Sequence, residues 1–161
     1  MISIRPYRSE DGASVKDLIL RIMSEEFSDA TPAYPADDLE DIPSSYGKIG
    51  EAFFVAVNGS KVIGTVAIKK EDERVALMRR LFVASSYRGQ QIGLQLIDRA
   101  LQFCEEVGYD ELIFRTTSKM VGAIKACQKR GFLQRAKIKL GELELMKFAF
   151  SVRNGLAKAK K

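Results

Sequence analysis

The chain has no histidine, and its 161 residues include only two cysteines, Cys104 and Cys127. The first absence removes every Ser-His and Cys-His mechanism. With so few thiols, a Cys/His metal centre and a disulfide framework are both excluded, and no metal is expected. Acid–base chemistry is left to carboxylates, Tyr, Cys, Lys or water. No apolar run approaches the ~20 residues of a spanning helix. No secretory n-region and h-region opens the chain. The expectation is therefore a cytoplasmic protein with no membrane contact.

Two nucleotide signatures are also missing. No Gly-Lys-Ser/Thr follows the one glycine-bearing loop that opens a helix, so it is not a Walker loop. Its glycine spacing does not fit the dinucleotide fingerprint, and no strand-end acid stands where a ribose needs one. The net charge of +5 invites a nucleic-acid reading. Four of the positives, Arg153, Lys158, Lys160 and Lys161, stand in the tail. The near-neutral remainder argues against nucleic acid as a partner. The length suits one domain with a real core, expected over residues 1–152, followed by a basic tail at 153–161.

What is present centres on Tyr87-Arg88-Gly89-Gln90-Gln91-Ile92-Gly93. An apolar strand precedes it at residues 75–83, and an amphipathic helix follows. A glycine loop that opens a helix exposes amides with no intrahelical partner. The dipole adds partial positive charge there, which makes an anion site for which phosphate is the usual guest. Strand–loop–helix also describes ordinary connections, so the loop alone leaves both readings open.

The remaining elements follow from spacing. Residues 2–5 alternate as a short strand stopped by Pro6. Val15, Leu18, Ile19, Ile22, Met23 and Phe27 predict a helix over 12–27. Pro32, Pro35 and Pro43 forbid one long helix between 28 and 45, and a short helical piece is expected at 37–42. The acidic run Asp37, Asp38, Glu40, Asp41 reads either as a solvated turn or as a rim for an amine. Tyr34 and Tyr46 flank it as candidate pocket residues. Strands at 52–57 and 61–69 meet at Asn58-Gly59-Ser60, a hairpin signal. The helix after the loop carries its apolar stripe to Val107 and ends at Gly108. A strand at 111–116, a helix at 121–130 and a hairpin around Gly141 complete the chain. The unit from 75 to 116 should be a right-handed parallel crossover.

Arg88-Gly89-Gln90-Gln91-Ile92-Gly93 resembles the Arg/Gln-x-x-Gly-x-Gly/Ala signature of the GCN5-related N-acetyltransferases. Leu81-Phe82-Val83 resembles that family's strand before the loop. Ala123-Ile124 and Gly131-Phe132 resemble its late helix. The similarity covers about residues 2–150. It implies an α+β fold with a central mixed, mostly antiparallel, splayed β-sheet flanked by helices. It also implies acetyl-coenzyme A as co-substrate and the amine of a small molecule or peptide as acceptor. By the same resemblance Leu81, Phe82 and Val83 face the pantetheine. Arg88, Gly89, Gln90, Gln91, Ile92, Gly93 and Leu94 hold the pyrophosphate, and Thr116, Ala123 and Cys127 adjoin the cofactor. A backbone N–H of Phe82 or Val83, with Val83 preferred, is the candidate oxyanion donor. Relatives commonly dimerise, so a homodimer is allowed.

Three positions depart from the family's commonest pattern. Gln91 replaces a glycine. Leu77 stands where a glutamate often serves as base, and residues 75–83 hold no carboxylate. Glu25, Glu26, Glu51, Asp72 and Glu73 are the nearest acids. Cys127 stands where a tyrosine often serves as general acid, which makes it a candidate acid or a plain helix residue. A cofactor-binding or sensing module with weak catalysis on the same fold is the alternative reading.

Overall fold

A computed structural model describes residues 1–28 and 35–153. Tyr34 and the basic tail beyond Arg153 lie outside the described residues. The chain runs β1 (Ile2–Pro6), α1 (Gly12–Glu26), α2 (Ile42–Ser45), β2 (Ala52–Asn58), β3 (Lys61–Lys70), β4 (Val75–Val83), α3 (Ile92–Val107), β5 (Glu111–Thr117), α4 (Val121–Lys129), β6 (Leu133–Leu140) and β7 (Leu143–Ser151). The strands form one sheet in the order β1-β2-β3-β4-β5-β7-β6. Only β4 and β5 run parallel, so the sheet is mixed and mostly antiparallel.

Each face of the sheet has its own apolar core. The α3 stripe of Ile92, Leu96, Ile97, Ala100, Leu101 and Cys104 packs with Met78, Leu81, Leu112 and Phe114. On the opposite face the α1 stripe of Val15, Leu18, Ile19, Ile22 and Met23 packs with Phe53, Val55, Ala67 and Phe82. The helical periods in the sequence therefore mark two faces of one sheet. Gly108 closes α3 with φ +98°, and its amide donates to the Cys104 carbonyl at 3.0 Å. That is the left-handed stop that glycine favours.

Two short segments differ from the sequence expectation. The expected helical piece at 37–42 divides into a 3-10 turn at Asp37–Glu40 and α2. Asp41 stands between them, and its carboxylate accepts the Ser44 amide. At the first hairpin Asn58 pairs with Lys61, so Gly59 and Ser60 make the turn.

Two irregularities in β4 shape everything that follows. First, β3 residues Thr65 and Ala67 pair with Phe82 and Arg79, so Arg80 and Leu81 together oppose Val66. This is a β-bulge, and Arg80 takes φ +55° in it. A left-handed arginine costs on the order of 1–3 kcal/mol and needs external support. Thr65 Oγ1 donates to the Arg80 carbonyl at 2.6 Å. The buried Arg80 guanidinium ion-pairs with Asp38, through Nε at 3.0 Å and also through the other nitrogen of the fork. Tyr46 Oη donates to the same carboxylate at 2.5 Å.

Second, the β4–β5 ladder stops early. Pairing runs from Val75↔Glu111 to Met78↔Phe114 and no further. Residues 79–83 and 115–117 continue apart, while β5 stays paired to β7 as far as Thr117. The splay opens a cleft in the middle of the sheet.

Candidate active site

The cleft holds a cavity of about 870 Å³ on the α3 side. That volume falls within the range of small-ligand sites. Leu81, Phe82 and Val83 form one wall, and Arg88, Gly89, Gln91, Ile92, Gly93 and Leu94 form its head. Ala123 of α4 lies opposite. The structure thus brings together ten of the thirteen residues that the family resemblance nominated. Gln90, Thr116 and Cys127 stand outside this lining. Gln90 is exposed, and Thr116 is buried on the wall of a second, smaller cavity.

Cys127 is the substantive correction. It is fully buried in the core on the α3 side. Burial pushes its thiol up to about 12. A thiol so weakly acidic does not readily surrender its proton to a leaving thiolate near ~8.5. Its position on the helix face of Ala123 and Ile124 explains the burial, and its chemistry is that of a small apolar residue.

The loop geometry fits an anion. Among the described residues, the amides of residues 91–94 donate to no backbone acceptor within the chain. The first backbone hydrogen bond of α3 is donated by the Gln95 amide to the Gln91 carbonyl at 3.1 Å. The Arg88 amide is engaged, donating to Ser85 at 3.3 Å. Gly89 has φ +82° and Gln91 has φ +64°. Left-handed residues of this kind are a feature of backbone anion cradles. A β-carbon built on Gly93 would lie 3.8 Å from Val83 Cγ2, an ordinary van der Waals contact between helix start and strand.

Arg88 is not a free charge at the loop mouth. Its guanidinium forks onto Glu26 at the end of α1, with one contact of 2.8 Å. Its Nε donates to the Val83 carbonyl at 3.1 Å. This arginine ties loop, strand and helix together. The contact also orients Val83. In a strand, N–H and C=O of one residue point to the same side, and neighbours alternate. Ala84 donates to Ile63 of β3 at 2.8 Å. The Val83 amide therefore faces away from β3, toward the cleft, whereas that of Phe82 faces β3.

No Asp or Glu lines either cavity among the described residues. Each candidate base with a recorded contact is engaged elsewhere. Glu26 holds Arg88. Glu51 accepts the Lys48 and Lys70 amides and pairs with Lys69 at 3.2 Å. Asp72 accepts two turn amides, and Glu73 holds Lys70. The acidic run is not an open rim either. Asp38 is half-buried and held by Arg80, Glu40 pairs with Lys16, and Asp41 caps α2. Burial alone would raise the Asp38 carboxyl, but Arg80 and Tyr46 outweigh it and hold it below the usual range.

Sequence reasoning missed several lining residues. Phe27 and Tyr87 also line the cavity, as do Lys125, Gln128 and Lys129 of α4. Tyr87 is positioned by Asn58, whose Nδ2 donates to its Oη at 3.1 Å. The i, i+4 spacing of Lys125 and Lys129 was the one available signal, since it puts two cations on one helix face.

Comparison with known proteins agrees with this geometry. Residues 16–132 match the Acetyltransferase (GNAT) family. N-acetyltransferase 8B of Rattus norvegicus is 35% identical over 101 residues, covering 59% of this chain and 46% of that protein. The chain thus spans about half the length of the curated relative it matches. A GNAT-family acetyltransferase from Staphylococcus aureus Mu50 superposes with a TM-score of 0.79 at 23% identity, covering 94% of this chain and 99% of the other. A putative acetyltransferase from Salmonella typhimurium, solved with its cofactor acetyl-CoA, has a TM-score of 0.78 at 16% identity and covers 94% of each chain. With a splayed sheet, open amides at the helix start and a family match over most of its length, the chain belongs to the acetyltransferase (GNAT) family.

Proposed function

We propose that the protein transfers an acetyl group from acetyl-coenzyme A to a primary amine by direct attack in a ternary complex. The observation that carries this reading is the row of open amides beside the splayed strands. The amides of residues 91–94 hold the pyrophosphate, assisted by the dipole of α3. Lys125 and Lys129 add positive charge across the mouth. The unpaired edge of β4 at residues 81–83 offers main-chain groups to the amide-bearing arm. When bound, the co-substrate supplies an acetyl thioester as acyl donor.

The chain's own contribution is placement and polarity. Holding both reactants in one cleft supplies a large share of the rate. The Val83 amide is the proposed donor to the acetyl carbonyl oxygen, a contact that strengthens as negative charge develops there. The departing thiol has an ordinary pKa near ~8.5, so solvent can protonate it without a protein acid.

A second reading is binding without turnover, as in a sensor. The absence of carboxylates from both cavity linings favours it. The test incubates the full chain with acetyl-coenzyme A and a panel of amino acids, polyamines, aminoglycosides and peptides, and follows free thiol. Amine-dependent thiol release is expected. Tight binding of the co-substrate with no release across the panel would overturn the enzymatic reading in favour of the sensor.

A further inference from the structure

The smaller cavity, about 360 Å³, lies where β4 and β5 part. It shares Leu81, Phe82, Met120 and Ala123 with the larger one, so the two meet at an apolar waist. Its distinctive feature is charge. The last paired residues of β4 and β5 are Met78 and Phe114. The next positions on the two strands are Arg79 and Arg115, and both line the cavity. Arg115 in turn pairs with Lys147 of β7.

These three cations share one face of the sheet. Phe114 and Phe148 point into the core on the α3 side, so their neighbours Arg115 and Lys147 point to the other side. The Arg79 guanidinium lies 5.9 Å from the centre of the Tyr46 ring, which belongs to the core on the α1 side. Like charges facing each other across strands destabilise a sheet. Among the described residues little offsets them. Among the described residues Arg79 and Lys147 form no ion pair, and Arg115 reaches only Glu71, at 3.8 Å on an exposed surface. Asp38 is engaged by Arg80, and Glu144 lies on the opposite face of β7 with Lys137.

We propose that Arg79 and Arg115, supported by Lys147, bind a carboxylate on the acceptor, so that the acceptor is an amino acid rather than a polyamine or an aminoglycoside. This rests on the acetyltransferase reading and assigns the acceptor half of the same cleft. The carboxylate sits between two guanidiniums, and the amine points through the waist toward Val83. An acceptor with several positive charges and no anion meets repulsion from the same row.

The experiment compares amino acids with their carboxamides and with polyamines, in the wild-type chain and in Arg79→Gln, Arg115→Ala and Arg115→Glu. Arg115 is exposed, so its variants are expected to fold, which circular dichroism checks. Charge-assisted pairs of this kind predict a kcat/KM preference for acid over amide of about 10- to 100-fold. Each neutral variant should collapse that ratio toward one, and Arg115→Glu should invert it. A second readout needs no turnover. Calorimetry should show N-acetyl amino acids binding more tightly than their amides, with the difference lost in the variants. Amides or polyamines used as well as amino acids would overturn the proposal. So would a ratio that the variants leave intact. If no amine releases thiol, the enzymatic reading fails, and the calorimetry still decides the carboxylate site.

Discussion

Gly93→Asp separates folding from anion capture, because the two respond with opposite sign. Gly93 is the second residue of α3 and lines the cavity head. Its φ is ordinary, and an added Cβ finds Val83 Cγ2 at 3.8 Å, a normal contact. The fold therefore accepts a side chain there. An aspartate in the first turn of a helix gains about 0.3–1 kcal/mol from the dipole. Replacing a helical glycine adds a few tenths more. For a chain of this size the free protein should melt about 1–4 °C higher. Binding should move the other way. A carboxylate about 4 Å from a phosphate charge costs about 1 kcal/mol in water and about 4 kcal/mol at an effective dielectric of 20. At tenfold per 1.4 kcal/mol, affinity for acetyl-coenzyme A should fall between about 5-fold and 1000-fold. The assay is thermal melting with and without acetyl-coenzyme A at about 100 times the wild-type Kd, where binding stabilises by about 2.7 kcal/mol. A 100-fold loss would leave about 0.4 kcal/mol of that stabilisation. Gly93→Asn controls for shape and should retain most of the affinity. If the aspartate variant melts higher on ligand addition by as much as the wild type, the amides of α3 are not the diphosphate site.

The structure supports three further predictions. Gln91→Gly removes a side chain from a left-handed position and should raise thermal stability by up to about 1 kcal/mol in denaturant titration, with acetyl-coenzyme A binding retained. Cys127→Ala should keep its turnover within about threefold, because a true general acid would cost about 100-fold or more in kcat. Asp38→Asn leaves Arg80 buried without its counter-charge and should destabilise by about 3–5 kcal/mol, read as a melting point lower by on the order of 10 °C. The Asp38 carboxyl is depressed in the fold, so its contribution is complete above the ordinary value of 3.8 and is lost as pH falls through the depressed one. The gap between wild type and variant should hold from pH 5 to 7 and narrow below about pH 4, in melts followed by circular dichroism.

What the sequence made legible was local. The loop at residues 87–93 carries its own chemistry, and the hairpins, the stop at Gly108 and the helical stripes are short-range patterns. The cleft is a long-range product. Nothing in Val75–Val83 announces a bulge, since the left-handed residue is an arginine where glycine would have signalled one. The support for that arginine lies 42 positions away in Asp38, within a run that reads by itself as solvated acid. Likewise Arg79, Arg115 and Lys147 are scattered in sequence, and only strand register makes them neighbours. Cys127 is a further case. Its sequence position left a candidate acid and a plain helix residue both open, and only the packing of α4 against the core shows its burial.

The same bulge bears on how an amine could attack without a protein base. Arg80 leaves the regular ladder, and the β4–β5 pairing has already ended two residues earlier, at Met78. The strand edge that is released has an amide cradle at one end and a pair of arginines at the other. Between them the shared wall is Leu81, Phe82, Met120 and Ala123, and three of these four are buried and apolar. On the proposed reading, each end draws in an anion and the waist excludes water. An ammonium held there is disfavoured twice, by desolvation and by the cations next to it, and both effects lower its pKa. The amine would then enter the waist neutral, having left its proton in solvent. Placing a carboxylate at Leu77 or nearby would stabilise the ammonium and work against that design. The absence of an acid from both linings is thus consistent with catalysis as well as with a sensor. The two are told apart by the pH dependence of kcat, which should be flat above neutrality if the bound amine is already unprotonated.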